Sequence, residues 1–203
     1  SLSGSLERVA VNVVMATREV LASVATTRSP QGVVASVKKP SYSLDDMIRG
    51  NSPFIVVLEE LQDPGNLGTI IRTADAAGVN GVVLVGGCVD PFGPKALRAT
   101  MGSVFHLPVV FVDTYQEAAR SFARIEGLQT VATGPAGPTM VYAMDFRKPT
   151  AILVGNEGAG LSREMMDRAD YLVRLPMPGR AESLNVAVAA SLVIYEAVRQ
   201  RLG

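Results

Sequence analysis

Three polar segments follow strand-like apolar runs, and their side chains are of the types that bind ligands or assist a reaction. These segments are residues 59–66, 155–160 and 176–185. The first leads into a helical pattern that carries Arg72, and the second is rich in glycine and contains Glu157. In sheets of parallel strands, ligands bind beyond the carboxyl ends of the strands. The three segments therefore form the predicted functional site.

The side chains of these segments predict chemistry that needs no metal ion. The chain has one His and one Cys, so it offers no cluster of the nitrogen and sulfur ligands that zinc prefers. Arg72 lies off the apolar stripe of its helix, and its guanidinium suits contacts with phosphate or carboxylate groups. Asn66 and Asn185 stand at the starts of predicted helices, where the simplest interpretation of each is an N-cap.

The glycine-rich segment differs from a dinucleotide-binding loop. Its glycines follow the pattern G-x-x-G-x-G, whereas the dinucleotide fingerprint is G-x-G-x-x-G with an acidic residue about 20 positions later. Glu157 inside the loop would also repel a pyrophosphate. A nucleotide-dependent oxidoreductase is therefore disfavoured. We expect the glycines to allow a close backbone approach and to leave N–H groups free for a ligand, with a plain turn as the alternative.

The composition favours one α/β domain with a short additional segment. The chain has 203 residues, of which 48% are hydrophobic and 5% aromatic, with no Trp. A core of Val, Ala, Leu and Ile suits a parallel sheet covered by helices. The formal net charge is zero, so a nucleic-acid site would have to come from local clusters of Lys and Arg or from residues outside this chain.

Cysteine usage and hydropathy bear on where the protein works. Cys88 is the only cysteine, which excludes an intrachain disulfide and favours a reducing compartment. No apolar run reaches the length of a membrane-spanning helix, and the start of the chain does not resemble a signal peptide. The chain is therefore predicted to be soluble and cytoplasmic.

Alternating strand and helix patterns beyond residue 50 predict a mostly parallel sheet with helices on both faces. The predicted strands are residues 54–58, 81–85, 107–112, 129–132, 150–154 and 171–175. The last helix, over residues 185–202, is apolar nearly all round its first half. Such a helix is buried in the core or in a subunit interface.

Polar residues and glycines predict where several helices begin and end. The apolar stripe that starts at Leu67 ends at Gly78, a favourable C-cap. Thr114 and Glu117 predict a capping box. Ser162 is the predicted N-cap of a helix over residues 163–169.

Residues 1–50 are predicted to be separate from the main domain. Apolar side chains recur at helical spacing over residues 6–26, and a β-branched run occupies residues 32–37. The stretch over residues 38–53 has the Lys, Pro, Ser and Gly content of a linker. We place the main domain boundary near residue 50.

Three motifs occur in order within residues 54–200. They are Asn66 and Arg72 after Asp63-Pro64-Gly65; Gly155-Asn156-Glu157-Gly158 with Gly160-Leu161; and Leu175-Pro176-Met177 with Gly179 and Ser183-Leu184-Asn185-Val186-Ala187. Their order and residue types resemble the motifs of the SpoU-type RNA 2′-O-ribose methyltransferases, a branch of the SPOUT superfamily. The stretch over residues 89–103, with Lys95 and Arg98, is also similar to that family.

The resemblance implies a fold, a cofactor and an assembly that composition does not reveal. The fold is an α/β-knot, in which the C-terminal segment threads through an earlier loop to form a deep trefoil knot. The cofactor is S-adenosylmethionine, bound in the pocket that the knot builds, and the assembly is a homodimer with the site near the interface. Residues 6–40 resemble the end of a small RNA-recognition domain. We therefore interpret residues 1–50 as its remnant with a linker, and residues 51–203 as the methyltransferase domain.

The resemblance also implies residue roles. The predicted catalytic residues are Arg72, Asn66, Glu157, Ser183 and Asn185. The predicted cofactor-binding residues are Thr133, Gly134, Gly155, Asn156, Gly160, Leu175, Met177, Ser183 and Leu184. The predicted RNA-binding residues, at the same edge of the sheet, are Arg72, Lys95, Arg98, Arg163 and Arg180. A guanidinium is always protonated and so is a poor base. We therefore expect Arg72 to hold the target phosphate and to stabilise the developing alkoxide.

These features predict an enzyme that methylates a ribose 2′-hydroxyl of structured RNA, ribosomal RNA in preference to transfer RNA. The alternative is a catalytically inactive RNA-binding protein on the same fold. The presence of every predicted catalytic residue opposes that alternative.

Overall fold

The computed structural model describes residues 12–25 and 32–203, and the chain divides into two units, Ser1–Lys39 and Pro40–Gly203. In the first unit, helix α1 spans Arg18–Val24 and begins at the N-cap Thr17. The helix predicted over residues 6–26 is therefore shorter than expected, since residues 12–17 are not helical, whereas residues 6–11 and 26 lie outside the described residues. No side chain of α1 is buried, so packing adds little to its stability. The β-branched run at 32–37 forms no strand.

The boundary between the units lies about ten residues earlier than the predicted one near residue 50. A short 3-10 helix over Leu44–Met47 belongs to the second unit. Met47 is fully buried there, and its side chain fills the space beside Gly81, where a Cβ atom would lie 2.4 Å from the Met47 Cγ. Burial of this side chain attaches the linker-like stretch to the sheet.

Seven strands of the described second unit form one sheet in which every pairing is parallel, in the order β3-β2-β1-β6-β4-β7-β5. They are β1 Phe54–Glu59, β2 Gly81–Val85, β3 Val109–Val112, β4 Gln129–Thr133, β5 Thr139–Met140, β6 Thr150–Val154 and β7 Tyr171–Arg174. The predicted parallel sheet is confirmed. Strand β3 begins after Pro108, which has no N–H to donate, and β7 ends before Leu175. The two-residue strand β5 was not predicted, because it is too short to show a periodicity.

Five helices of the second unit cover the sheet. They are α2 Pro64–Ala76, α3 Pro94–Thr100, α4 Tyr115–Phe122, α5 Arg163–Arg168 and α6 Val186–Leu202, with further 3-10 turns at Ser103–Phe105 and Val141–Ala143. Alternate side chains of β1 face opposite layers: Val56 packs in the cluster that includes α2 and α6, and Val57 in the cluster that includes α4 and α5. Helices on both faces were predicted, whereas α3 was missed.

Gly78 and Ser162 lie at helix ends as predicted, whereas Thr114 does not cap its helix as predicted. Gly78 takes φ +68° after α2, and the Ser162 hydroxyl accepts a hydrogen bond from the Met165 N–H at 3.2 Å. The predicted capping box of α4 is wrong. The Thr114 hydroxyl lies 3.4 Å from the Glu117 carboxylate and makes no capping bond to the backbone. The side chain of Glu117 thus competes with the backbone for this hydroxyl.

Helix α6 is held at both ends. Its N-cap Asn185 belongs to the third polar segment. Near its C-terminus, the Arg201 guanidinium donates to the carbonyl oxygens of Phe146, Ser52 and Lys148 at 2.8, 2.9 and 2.7 Å. Burial lowers the pKa of Arg201, but each of its three nitrogens donates to one of these carbonyl oxygens. The predicted burial of α6 is partly met within the chain, since one side packs in the core and another is exposed.

Candidate active site

The three polar segments meet at the carboxyl edge of the sheet. The first leaves β1, the second leaves the neighbouring β6, and the third leaves β7. One link between the first two segments is the carboxylate of Glu157 in the second segment. It accepts hydrogen bonds from the backbone N–H groups of Asp63 at 3.0 Å and Gln62 at 3.3 Å, and from Nδ2 of Asn66 at 3.3 Å. The second segment is therefore tied to the first.

Asn66 extends this connection to the third segment. Its Oδ1 accepts a hydrogen bond of 3.0 Å from Nδ2 of Asn185. Glu157, Asn66 and Asn185, all predicted catalytic residues, thus form one hydrogen-bonded chain. The sequence predicted these three residues individually but not the hydrogen bonds that connect them, because those bonds depend on how the three segments approach one another.

The two asparagines differ in how they serve their helices. The Oδ1 of Asn185 accepts from the backbone N–H groups of Ala187 and Val188, so Asn185 is the N-cap of α6 as expected. Asn66 is not a cap. The Asp63 carboxylate caps α2 by accepting from the Asn66 backbone N–H at 2.8 Å, and this leaves the Asn66 side chain free to bind Glu157 and Asn185.

The environment of Glu157 keeps its carboxyl ionised. Partial burial opposes the charge, but hydrogen bonds from the backbone N–H groups of Glu157 and Asp63, the Asn66 amide and the Gln62 N–H outweigh it, so the pKa of Glu157 lies below its usual range. A carboxyl with a lowered pKa is a hydrogen-bond acceptor at neutral pH and not an acid.

The glycine-rich segment is closed by its own contacts, which contradicts the expectation of free N–H groups. Asn156 and Gly160 exchange backbone hydrogen bonds of 2.9 and 3.0 Å. The Asn156 Oδ1 accepts from the N–H groups of Gly158 and Ala159, and its Nδ2 donates to the carbonyl of Glu60 at 2.8 Å. A Cβ on Gly155 would lie 2.1 Å from the Gly160 carbonyl carbon. Glycine is required here for contact within the loop, and the loop is no phosphate cradle.

A cleft of about 170 Å³ opens beside these loops. All nine predicted cofactor-binding residues line it, as does Glu157. Sequence reasoning missed further lining residues, namely Pro135, Val154, Val173, Glu182, Val186, Ala189 and Val193. Most are apolar side chains of the strands and of α6, where a core role was the natural interpretation. A larger cleft, of about 410 Å³, lies near the C-terminal end of α6 and contains none of the predicted site residues.

The lining suits an adenosine with a sulfur-containing side chain. Apolar side chains from Val154, Val173 and Leu175 form walls that fit a flat ring and a thioether. Thr133 lies among them, and its hydroxyl oxygen can accept a hydrogen bond from a ribose, since its proton is donated to the Leu153 carbonyl. The ionised carboxylate of Glu157 lies on the same cleft and favours a ligand with positive charge. The described residues contain no group of three His, Cys, Asp or Glu side chains placed to hold a metal ion.

The predicted RNA-binding residues are dispersed. The Lys95 ammonium lies 3.2 Å from the Asp63 carboxylate, beside the first loop. The Arg163 guanidinium pairs with Asp167 on α5 at 3.5 Å. Arg72, Arg98 and Arg180 are exposed and make no hydrogen bond or ion pair with the described residues. No predicted RNA-binding residue lines the cleft.

Comparisons with known proteins agree with this architecture. Residues 53–195 match the model of the SpoU rRNA Methylase family. An uncharacterized tRNA/rRNA methyltransferase of Synechocystis is 42% identical over 90% of this chain and 66% of its own length. A 23S rRNA (uridine(2479)-2'-O)-methyltransferase of Streptomyces viridochromogenes is 40% identical over 86% and 62%. This chain thus spans somewhat less than two thirds of either relative.

Solved structures show the same fold. The AdoMet-bound rRNA methyltransferase of Sinorhizobium meliloti superposes with a TM-score of 0.84 at 41% identity, over 92% of this chain and 71% of that one. The SpoU methyltransferase AviRb of Streptomyces viridochromogenes, in complex with AdoMet, gives 0.76 at 40% identity, over 81% and 63%. No described helix of this chain has both the length and the hydropathy needed to cross a membrane.

The lowered pKa of Glu157 predicts a pH-dependent contribution to stability. The ionised carboxylate stabilises the fold above its unfolded pKa, about 4.3, and this contribution is lost as the pH falls through the lower folded value. Glu157→Gln should lower the free energy of unfolding by about 1 kcal/mol at pH 7, a figure reduced for solvent exposure. The difference from the wild type should shrink between about pH 5 and pH 3.

Denaturant unfolding of both proteins over this pH range measures the difference. Glu164→Gln, which removes the surface pair with Arg168, is the control and should change little. A difference between the wild type and Glu157→Gln that stayed constant with pH would contradict the predicted role of the charge.

Proposed function

This chain belongs to the SpoU rRNA Methylase family, and on that premise we propose that it transfers a methyl group from S-adenosylmethionine to a ribose 2′-hydroxyl of structured RNA. One observation carries the proposal. The hydrogen-bonded chain from Glu157 through Asn66 to Asn185 joins all three motif loops next to the apolar cleft. A single network thus spans the proposed cofactor site and the N-terminus of α2.

Ribosomal RNA is the favoured substrate. The names of several relatives support this, including the Streptomyces viridochromogenes enzyme that acts on a uridine and a Bacillus subtilis 23S rRNA (guanosine(2553)-2'-O)-methyltransferase, 36% identical over 89% of this chain. These two differ in the base but share the ribose 2′-oxygen. The chemistry proposed for this chain is therefore directed at the ribose.

The bound cofactor would supply an electrophilic methyl group on a positively charged sulfur. The apolar walls of the cleft exclude water around that group, and the Glu157 carboxylate complements the positive charge. Asn66 is held by Glu157 and Asn185 and is oriented at the start of α2. Because the Arg72 guanidinium has no partner among the described residues, it is available to bind a phosphate and to stabilise negative charge on the 2′-oxygen. That charge would develop as the hydroxyl gives its proton to water and as the oxygen bonds to the methyl group, whose bond to sulfur breaks.

The remaining predictions complete the proposal. We infer a trefoil knot from the family, and the contact of Asn185, at the start of the C-terminal helix, with Asn66 on α2 is consistent with a threaded C-terminal segment. Residues 1–50 are proposed to belong to an RNA-recognition domain and its linker, of which residues 40–50 are part of the second unit. The cytoplasm is the proposed compartment. The alternative, a catalytically inactive RNA-binding protein, has no specific support. Both the cleft and the hydrogen bonds that join Glu157, Asn66 and Asn185 are present.

Cofactor binding provides the direct test of the proposal. Calorimetry with S-adenosylmethionine should give a dissociation constant in the micromolar range, about −8 kcal/mol, and chelators should not change it. NAD is the control ligand and should give no heat, because the glycine-rich loop is closed by its own hydrogen bonds. Heat with NAD and none with S-adenosylmethionine would overturn the proposed function.

Arg72→Ala should lower turnover at least about a hundredfold, since such groups contribute several kcal/mol to transition-state stabilisation. Cofactor affinity should stay within about threefold, because Arg72 does not line the cleft. Arg72→Lys should restore little, since an ammonium lacks the planar fork of a guanidinium.

The assay measures methyl transfer to ribosomal RNA that lacks the modification. Arg120→Ala, which removes an exposed arginine of α4, should leave turnover unchanged. Retention of more than a tenth of wild-type turnover by Arg72→Ala would remove it from the catalytic residues.

The chain is also predicted to form a homodimer through α6. Val188, Leu192 and Tyr195 recur at helical spacing on this helix and are about half exposed, at 48%, 46% and 51%. Such an apolar stripe is typical of a protein interface. Light scattering at micromolar concentration should give twice the mass of one chain, and Leu192→Glu should halve it. Met166→Glu, on an exposed position of α5, is the control. A monomer in the wild type would contradict the prediction.

A further inference from the structure

Arg174 lies between two residues of the cleft but points away from it. Val173 and Leu175 line the cleft, whereas Arg174 does not, as expected for alternate residues at the end of a strand. The half-buried Arg174 guanidinium reaches the loop that follows β4. Its Nη1 donates to the carbonyl oxygen of Gly137 and, at 3.0 Å, to that of Pro138.

The loop over residues 134–138 contributes its first two residues to the wall of the cleft. Gly134 and Pro135 line the cleft at its start. The Gly134 N–H donates to the carbonyl of Val173 at 3.0 Å, and the Gly137 N–H donates back to Gly134 at 3.2 Å. The loop is therefore tied to β7 at its beginning by the backbone, and at its end by the Arg174 side chain together with the pairing of β5 and β7.

Gly137 shows how closely the loop approaches the strand. A Cβ at this position would lie 2.6 Å from the carbonyl carbon of Val173 and 2.9 Å from the Arg174 nitrogen. These atoms belong to the backbone of β7, which cannot move aside as a flexible side chain could. The loop can therefore bind Arg174 in this way only while residue 137 has no side chain.

We propose that Arg174 is a positioning residue that docks loop 134–138 on β7 and so sets the width of the cofactor cleft. The inference rests on the proposed function, since it takes the cleft as the site of S-adenosylmethionine. Arg174 acts through the loop and not by contact with the ligand. Its loss should therefore weaken cofactor binding, while methyl transfer at saturating cofactor continues at nearly the normal rate.

Arg174→Met tests this inference, because it keeps the aliphatic length and removes the donors. The dissociation constant for S-adenosylmethionine should rise about tenfold, as for the loss of a charge-assisted hydrogen bond. The kcat at saturating cofactor and the KM for RNA should stay within about twofold. Arg174→Lys, which keeps one charged donor, should recover part of the affinity. Arg168→Met, which removes an arginine from the surface pair with Glu164, is the matched control and should bind like the wild type.

Gly137→Ala provides an independent disturbance of the same contact. It leaves the guanidinium in place but forces the loop away from β7, so the dissociation constant should rise by a similar factor. The double variant, Gly137→Ala with Arg174→Met, should bind S-adenosylmethionine at most about twofold more weakly than the weaker-binding single variant. The reason is that both changes detach the same loop from β7. Multiplication of the two effects would show that they act separately and would overturn the inference.

The remaining outcomes separate this inference from the proposed function. If the wild type does not bind S-adenosylmethionine, the proposed function fails. If the wild type binds and Arg174→Met binds equally well, or loses kcat with unchanged affinity, only the role of Arg174 fails. Thermal unfolding of each variant identifies loss of fold. If Arg174→Met does not fold, Arg174→Lys and Gly137→Ala test the inference instead. Unchanged affinity for S-adenosylmethionine in both variants would overturn it.

Discussion

The hydrogen bonds accepted by the Glu157 carboxylate are the interaction on which the geometry of the site depends. They connect positions more than 90 residues apart in the chain, and no regular secondary structure joins the first and second loops there. Removal of this carboxylate would leave two backbone N–H groups and the Asn66 amide without their acceptor in the protein, and the two loops would lose the hydrogen bonds that hold them together. The lowered pKa of Glu157 is a consequence of the same contacts.

The helix caps allow the side chains of the site to serve this network. Asp63 caps α2 and pairs with Lys95, so Asn66 need not use its side chain for the backbone of its own helix. Asn185 both caps its helix and joins the network, because its Oδ1 caps α6 while its Nδ2 donates to Asn66. A side-chain amide has a donor and an acceptor at opposite corners, and an aspartate at position 185 could cap α6 but could not donate to Asn66. The choice of residue at each helix start thus follows from the network as well as from capping.

The sequence predicted the sheet well because its central strands β1, β2 and β6 are buried on both faces, and such strands appear as short runs of Val, Ile, Leu and Ala. It also predicted which residues gather at the cleft, because the motifs follow strands that must end at one edge. Contacts made by irregular backbone were not predictable. The Asn156 side chain accepts hydrogen bonds from the N–H groups of Gly158 and Ala159, which the glycine pattern was expected to leave free for a ligand. Arg174 gave no signal, since its partners are carbonyl oxygens of a loop whose path no periodicity describes.

Arg72 lies on a different side of α2 from Asn66. It follows Asn66 by six residues on α2, which places it about 120° round the helix axis, since each residue advances about 100°. Asn66 therefore faces Glu157 and Asn185, whereas Arg72 is exposed and lies off the cleft. With a net charge of zero, the chain lacks the general electrostatic attraction that would draw RNA to any surface. A phosphate would be held by local cations, of which Arg72 is available on the same helix as Asn66. Helix α2 is thus the element that fixes the position of Arg72 relative to Asn66, and so of the proposed phosphate site relative to the cofactor cleft.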